Sequence, residues 1–258
     1  MFRQIKAFSL ILGLVIALAA CGGAKKTSTE TASDAQTTSA TEIPSATPVG
    51  LATAYQNLLD QQSFVLTAKL SKLNGSLAKL PGITDPTTIK IEHAGNDRHI
   101  QVIISTGRTL FELWRVNNQL YVNIGLGTTK TSENDPIVKQ FVPLLDADSQ
   151  IVNALAADNA TYTVTGTAKV NGVQSNVEQS EYDLSQVGGS IFSFGSSSTV
   201  DAKIWVAQSG RYLVKANLKL SGALSGTAVA GTETESSGAT VDIDITDAGK
   251  LKGIDAPI

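Results

Sequence analysis

From residue 63 onward, apolar and polar residues alternate with a period of two over most of the chain, which is the pattern of half-buried strands. Phe64, Leu66, Ala68 and Leu70 alternate with Val65, Thr67 and Lys69, and Ile89 and Ile91 alternate with Lys90 and Glu92. Ile100, Val102 and Ile104 repeat the pattern after a turn at Asn96-Asp97. Leu110–Val116 and Gln119–Ile124 flank Asn117-Asn118, a pair suited to a tight hairpin because asparagine tolerates positive φ. Thr161–Val170 is the most regular segment. It sets Tyr162, Val164, Gly166, Ala168 and Val170 on one face against four threonines and Lys169 on the other. Asn171-Gly172 predicts a hairpin turn into Val173–Leu184. Val200–Ala207, Tyr212–Leu220 and Ala239–Thr246 bring the total to about ten strands. Ser185–Ser198 and Gly222–Gly238 are rich in glycine and serine and read as loops.

Three segments follow helical spacing instead. Leu51, Tyr55, Leu58 and Leu59 share a face over residues 49–61. Asp135-Pro136 has the N-cap and first-turn residues of a helix start, with Ile137, Val138 and Phe141 on one side. Pro143 is expected to end or kink that helix. A further short helix is expected over residues 149–157, with Ile151, Val152 and Leu155 on its apolar side. Short turns between neighbouring strands predict antiparallel pairing, and a sheet with one apolar face has to cover it. The expected fold class is α+β: a curved antiparallel β-sheet, or half-barrel, of about ten strands. Short helices cover its concave face, and an N-terminal helix leads into it.

The first residues belong to none of this. Arg3 and Lys6 precede the apolar run of residues 7–18, and Ala19 and Ala20 precede Cys21. A basic start, a short apolar core and small residues at a cut site make a secretory signal. The run is shorter than the roughly 20 residues a spanning helix needs. Cleavage is expected between Ala20 and Cys21. Residues 22–48 then form a tether in which 16 of 27 positions are Ser, Thr or Ala and Ile43 is the one large apolar residue. Such a stretch cannot bury enough surface to offset its ordering entropy. Three parts result: a signal at 1–20, Cys21 with its tether to 48, and one domain over 49–258.

Composition narrows the function. Cys21 is the only cysteine, so the domain folds by core burial without disulfides, thiol nucleophile or cysteine metal site. Loss of Arg3 and Lys6 with the signal takes the formal charge from −3 to −5. No basic cluster follows Lys25-Lys26, which excludes nucleic acid as an expected partner. His93 and His99 lack further His or Cys to complete a zinc shell. Alternation puts His93 on an inner face and His99 on an outer one. Gly125–Thr131 has the wrong spacing for a phosphate loop and reads as a glycine turn. No G-x-S-x-G elbow surrounds Ser193. Asp242 and Asp244 alternate with Val241, Ile243 and Ile245, so both are expected in solvent. No catalytic residue, metal or cofactor is expected. Small residues on the inner faces (Ala68, Gly166, Ala168, Ala202, Ala216) leave volume, which helices could fill or a ligand could occupy. The pattern leaves those two outcomes open.

Leu18-Ala19-Ala20-Cys21 resembles the lipobox of bacterial lipoproteins. Several further stretches occur in a familiar order: Ser63–Leu70 after an N-terminal helix, Val116–Val122, Asp135-Pro136 with its short helices, Thr199–Ala207 before Ser209-Gly210, Ile245–Lys250 and Ile254–Pro257. In that order they resemble the LppX/LprAFG family of cell-envelope lipoproteins, whose half-barrel is related to the LolA and LolB carriers. The resemblance covers roughly residues 50–258. It implies diacylglyceryl on the Cys21 thiol, an acyl chain such as palmitate on its amine, and an extracytoplasmic, membrane-anchored location. It also implies binding of lipid or lipoglycan acyl chains in an apolar cavity, transport within the envelope, and an envelope export protein as partner. The residues expected against the chains are Leu66, Leu113, Leu120, Val122 and Ile204 of the sheet, with Tyr162 and Val164. Val138, Phe141 and Leu155 are expected to line the chains from the helical cover. The alternative is a non-carrier structural or interaction lipoprotein that uses the exposed threonine face of Thr161–Thr167.

Overall fold

The structure is a computed structural model. It describes residues 46–75, 84–125, 127–135, 138, 142–145, 160–183, 192–194, 199–226 and 236–257. Helix α1 (Leu51–Leu59) leads into β1 (Ser63–Asn74), β2 (Thr87–Ala94), β3 (Asp97–Ile103), β4 (Thr109–Val116), β5 (Gln119–Asn123) and β6 (Thr128–Thr131). A single helical turn, α2 (Val142–Leu145), separates these from β7 (Thr163–Val170), β8 (Val173–Asp183), β9 (Phe192–Phe194), β10 (Thr199–Ala207), β11 (Leu213–Gly226) and β12 (Ser236–Thr246). The strands form one antiparallel sheet in the order β6-β5-β4-β3-β2-β1-β12-β11-β10-β8-β7, with β9 paired to β11 off this path. The β6 and β7 edges do not meet along this path, so the sheet is unclosed.

The sheet is a curved half-barrel, and one contact shows how strongly it coils. Asn171, in the β7–β8 turn, donates from Nδ2 to the carbonyl of Ile245 on β12 at 2.9 Å. Strands β8, β10 and β11 lie between them in the sheet order. In a flat sheet that lateral separation is roughly 15–19 Å. Register shifts in β1, β3, β7 and β10 supply local bends. The two predicted tight turns have the backbone their residues favour: φ is 50° and 60° at Asn117 and Asn118, and 50° and 81° at Asn171 and Gly172.

The core lies on one face of this sheet. Leu51, Ala54, Tyr55 and Leu58 of α1 are buried in the same cluster as Phe64, Leu66, Ile91, Ile100, Leu113, Ile204 and Ala216. Helix α1 therefore covers part of the inner face. The opposite face of β4 carries a smaller cluster, where Trp114 and Val116 are buried with Ile254 of the C-terminal tail.

Several expectations need correction. Thr128–Thr131 continues as edge strand β6 beyond the glycine turn; its polar residues carry no alternation to reveal it. Residues 222–226 and 236–238, expected in a loop, extend β11 and β12, where Gly, Ala and Ser give no periodic signal. Phe192–Phe194 forms β9 within the expected 185–198 loop. Pro143 sits inside α2 and does not end a helix there. It falls in the first turn, where its missing N–H is not needed. Val142 N–H bonds Val138 O at 3.2 Å just before it. The helix expected over 149–157 lies outside the described residues, as do Phe141 and Leu155.

The outer face of β2–β5 carries a polar cluster. His99 stacks on Trp114 at 4.5 Å between ring centroids. Its Nδ1 donates to Glu92 Oε2 at 3.1 Å, and Lys90 Nζ donates to Glu92 Oε1 at 2.6 Å. These partners, the His99 hydrogen bond first, hold Glu92 well below the ordinary carboxylate range, at about 2 despite partial burial. The folded state therefore gains stability from Glu92 above the unfolded value of about 4.5. It loses that stability as pH falls toward 2. With solvent screening, the contribution is about 1–2 kcal/mol. Urea unfolding at pH 7, 4, 3 and 2 is expected to show that loss in the wild type and a flatter profile in Glu92→Gln. Identical pH profiles for the two proteins would refute the assignment.

Candidate functional site

Directly paired residues of an antiparallel sheet point to the same face, so the register maps the inner wall row by row. One row runs Val122–Leu113–Ile100–Ile91–Leu66–Ile245 across six strands, and every member is buried. The next runs Phe111–Val102–Ile89–Ala68–Ile243–Ala216–Ile204–Glu178–Val164 across nine. A third runs Thr87–Leu70–Val241–Leu218–Ala202–Ser180. The wall is aliphatic and aromatic across its centre and polar along β8.

This mapping places the sequence candidates. Leu66, Leu113, Leu120, Val122, Val138, Tyr162 and Ile204 all belong to one buried cluster. Val164 is on the same face but only half-buried. Ala68, Ala202 and Ala216 face inward as expected. Gly166 and Ala168 do not. The pairing of β7 with β8 shifts by one residue between Val164 and Gly166, so Gly166 and Ala168 pair with Val177 and Ser175. Those partners lie on the face opposite Glu178. A bulge inserts one residue and turns the following side chains over, and nothing in the alternation of Thr161–Val170 reveals it.

Most of the wall is sealed. Besides Val164 at the β7 edge, the exception is its middle, where Ala68 and Ile243 are paired neighbours on β1 and β12. Both are packed against the core, and both remain partly exposed. Their row neighbours Ile89 and Ala216 are buried at 7% and 0%. These two apolar residues keep solvent access where their row neighbours have almost none.

Glu178 escaped the sequence reading. It is fully buried on the inner wall. It accepts the N–H of Val49 at both carboxylate oxygens (3.1 and 3.0 Å) and the N–H of Gly50 at 2.9 Å. These amides open α1, whose first helical bond runs from Ala54 N–H to Gly50 O. A carboxylate there satisfies orphan donors and complements the helix dipole. Gly50 has φ 76°, and a Cβ on it would come within 3.1 Å of the Tyr162 ring, so glycine suits both the turn and the close approach. Burial pushes the Tyr162 hydroxyl up to about 12, with the Glu178 charge adding to the effect. Hydrogen bonds from Tyr182 and the Leu51 backbone act the other way. The one signal for Glu178 was an acid at an inward position of a strand, two residues from Ser180 and four from Tyr182.

Other candidates are ordinary sheet residues. His93 is buried and stacks on Phe64 at 4.6 Å, while His99 faces outward, both as expected. Asp242 and Asp244 are half-buried and partnered instead of freely solvated: Asn217 donates to Asp242 at 2.6 Å and Lys215 lies 3.3 Å from Asp244. Among the described residues no group of His, Cys, Asp and Glu is placed to hold a metal ion. No helix among them is long and apolar enough to cross a membrane.

Replacing Glu178 strands two partly buried amides. Glu178→Ala is expected to cost roughly 2–4 kcal/mol and to speed hydrogen exchange across residues 49–59 selectively. Glu178→Gln, which keeps an acceptor, is expected to cost less. Exchange by mass spectrometry with thermal melting checks this, and uniform acceleration over the whole sheet would contradict a local fastening.

No family model matches the chain, and no curated protein matches it. Solved structures do. Mycobacterium tuberculosis lipoprotein LppX is 11% identical, with a TM-score of 0.41, over 79% of this chain and 97% of that one. LprF from Mycobacterium bovis is 14% identical, also with a TM-score of 0.41, over 81% and 99%. A domain assigned to outer membrane lipoprotein sorting, from Vibrio parahaemolyticus, is 9% identical with a TM-score of 0.22 over 75% and 90%. The chain is thus similar to lipoproteins of the LppX/LprAFG type, the family that its ordered sequence motifs resemble.

Proposed function

We propose that the chain is a lipoprotein, anchored through Cys21, that holds the acyl chains of a lipid against the inner wall of its half-barrel and takes part in lipid or lipoglycan transport in the cell envelope. The observation that carries this is the partly exposed apolar pair Ala68–Ile243 at the centre of a mostly buried wall. Acyl chains need apolar contact and no hydrogen-bond partner, and the rows on either side of this pair offer such contact almost without interruption. The wall performs no chemistry in this role. It removes methylene groups from water, each buried CH₂ stabilising the complex by about 0.8 kcal/mol. Residues 1–20 act as the secretory signal, residues 22–48 as the tether, and residues 49–258 as the lipid-holding domain. Leu66, Leu113 and Ile204 then serve as walls of the site and as core at once, and an export protein of the envelope would receive the cargo.

Two experiments test the reading. Protein extracted from membranes is expected to carry lipid visible by native mass spectrometry. Ala68→Phe, which fills the centre of the wall, is expected to lower lipid occupancy about tenfold or more while leaving a cooperative melt. Wild-type protein free of lipid and unable to take it up would leave the non-carrier alternative standing. Cys21→Ala is expected to move the protein from the membrane fraction to the soluble extracytoplasmic fraction, because a chain lacking acyl groups loses its hold on the bilayer. Retention in the membrane fraction would count against the anchor.

A further inference from the structure

After β12 the chain leaves the sheet through a tight turn, in which Gly249 N–H bonds Ser63 O at 2.8 Å and Lys250 N–H bonds Asp247 O at 2.9 Å. Residues 251–257 follow in neither helix nor strand. Among the described residues, no backbone bond joins this tail to the rest of the protein. Side chains hold it instead. Leu251, Ile254 and Ala256 pack in one cluster with Trp114, Val116 and Tyr121 on the outer face of β4 and β5. Ile254 is buried, while Lys252 and Asp255 on either side of it are exposed.

The face beneath the tail is built without it. Trp114 stacks on His99 with ring centroids 4.5 Å apart and planes at 6°, and His99 is bonded in turn to Glu92 on β2. Tyr121 is the cross-strand partner of Trp114. Strand β4 is paired on both sides, with β3 and with β5. Lifting the tail therefore leaves the indole in place and uncovers an apolar patch with polar neighbours, the kind of surface that marks an interaction site. The cost of lifting is small beside that of opening the sheet, because packing is lost and no ladder is broken.

We infer that residues 251–257 are a displaceable strap over a docking surface, and that the surface takes an extended segment of a partner protein with a large apolar side chain at the place of Ile254. The strap is the template for that occupant: apolar residues face the sheet and charged ones face water. It also competes with it. A segment tethered to its own site acts at an effective concentration of about a millimolar, so a partner has to bind better than the strap to replace it. The surface lies on the face opposite the inner wall, and the inference does not rest on the acyl-chain reading.

The test uses the full chain carrying Trp205→Phe, which leaves Trp114 as the one tryptophan of the two. Adding Ile254→Asp is expected to free the strap: Trp114 emission moves to longer wavelength and acrylamide quenches it more, while the melt stays cooperative. Ile254→Ala is expected to give the same changes in smaller degree, and it carries both readouts should the aspartate variant fail to fold. The probe is a synthetic peptide of residues 249–257. It is expected to bind the opened chain about tenfold or more tighter than the chain with its strap intact and to restore the shorter-wavelength emission. The same peptide with Ile254→Asp is expected not to bind. Unchanged Trp114 emission in both variants, or loss of the cooperative melt in both, would overturn the strap. Equal peptide binding with and without the strap, or no binding to the opened chain, would overturn the docking surface. Concentration-dependent dimers of the opened chain that the peptide dissolves would make a second copy the occupant and overturn the partner assignment.

Discussion

Everything in this molecule follows from one constraint: a wide, unclosed antiparallel sheet has a single apolar face, and that face cannot be left to water. A closed barrel hides its inner face by geometry, and a sandwich hides it against a second sheet. Here the sheet coils, as the bond from Asn171 to Ile245 requires, and α1 lies against the concave side. A nine-residue helix is about 14 Å long, while a row of nine strands is roughly 40 Å wide when laid flat. The helix covers only part of the wall it faces. Among the described residues, that mismatch goes with a stretch of wall at Ala68–Ile243 that stays partly exposed.

The alternation of side chains made much of this legible from residues alone. Period two over Phe64–Leu70, Thr88–His93 and Ile100–Ile104 assigned the inner face strand by strand. Asn117-Asn118 and Asn171-Gly172 located hairpins because few residues accept their backbone. The signal failed where side chains do not report the face. Thr128–Thr131 is a polar edge strand, and residues 222–226 and 236–238, which are Gly, Ala and Ser apart from Leu224, carry no alternation. The shift at Val164–Gly166 is a different failure. The residues alternate perfectly there, but the ladder does not, because a bulge is a property of two strands and the pattern was read from one. Val164 thus stays on the wall while Ala168 leaves it.

Polar residues on the wall are fewer than apolar ones, yet they define its borders. Glu178, Ser180 and Tyr182 line the β8 side, and His93, Arg98 and Arg115 line one end. Sequence reasoning found His93 through its rarity and missed the others, since a lone Glu or Arg in a strand of mixed composition is unremarkable until register shows what it faces. Once the rows are known, Glu178 is seen to bind backbone amides of the protein itself.

Glu178 also connects the wall to the chain that precedes it. The amides it holds belong to Val49 and Gly50, directly after the segment read as a tether, and Arg211 adds a bond to the carbonyl of Thr47 at 2.8 Å. The tether therefore joins the domain at the first turn of the helix that covers the wall, on the β8 border. On the proposed reading, a chain anchored through Cys21 would enter the domain at this margin. A lipid entering or leaving past that margin would pass a helix held by the Glu178 carboxylate, the bond from Asn57 Nδ2 to Arg211 O and the packing of Leu51, Ala54, Tyr55 and Leu58, whereas the sheet behind it is fastened by whole ladders as well as by packing. If the cover yields anywhere, the difference in the number of bonds to be broken makes α1 the element that yields first.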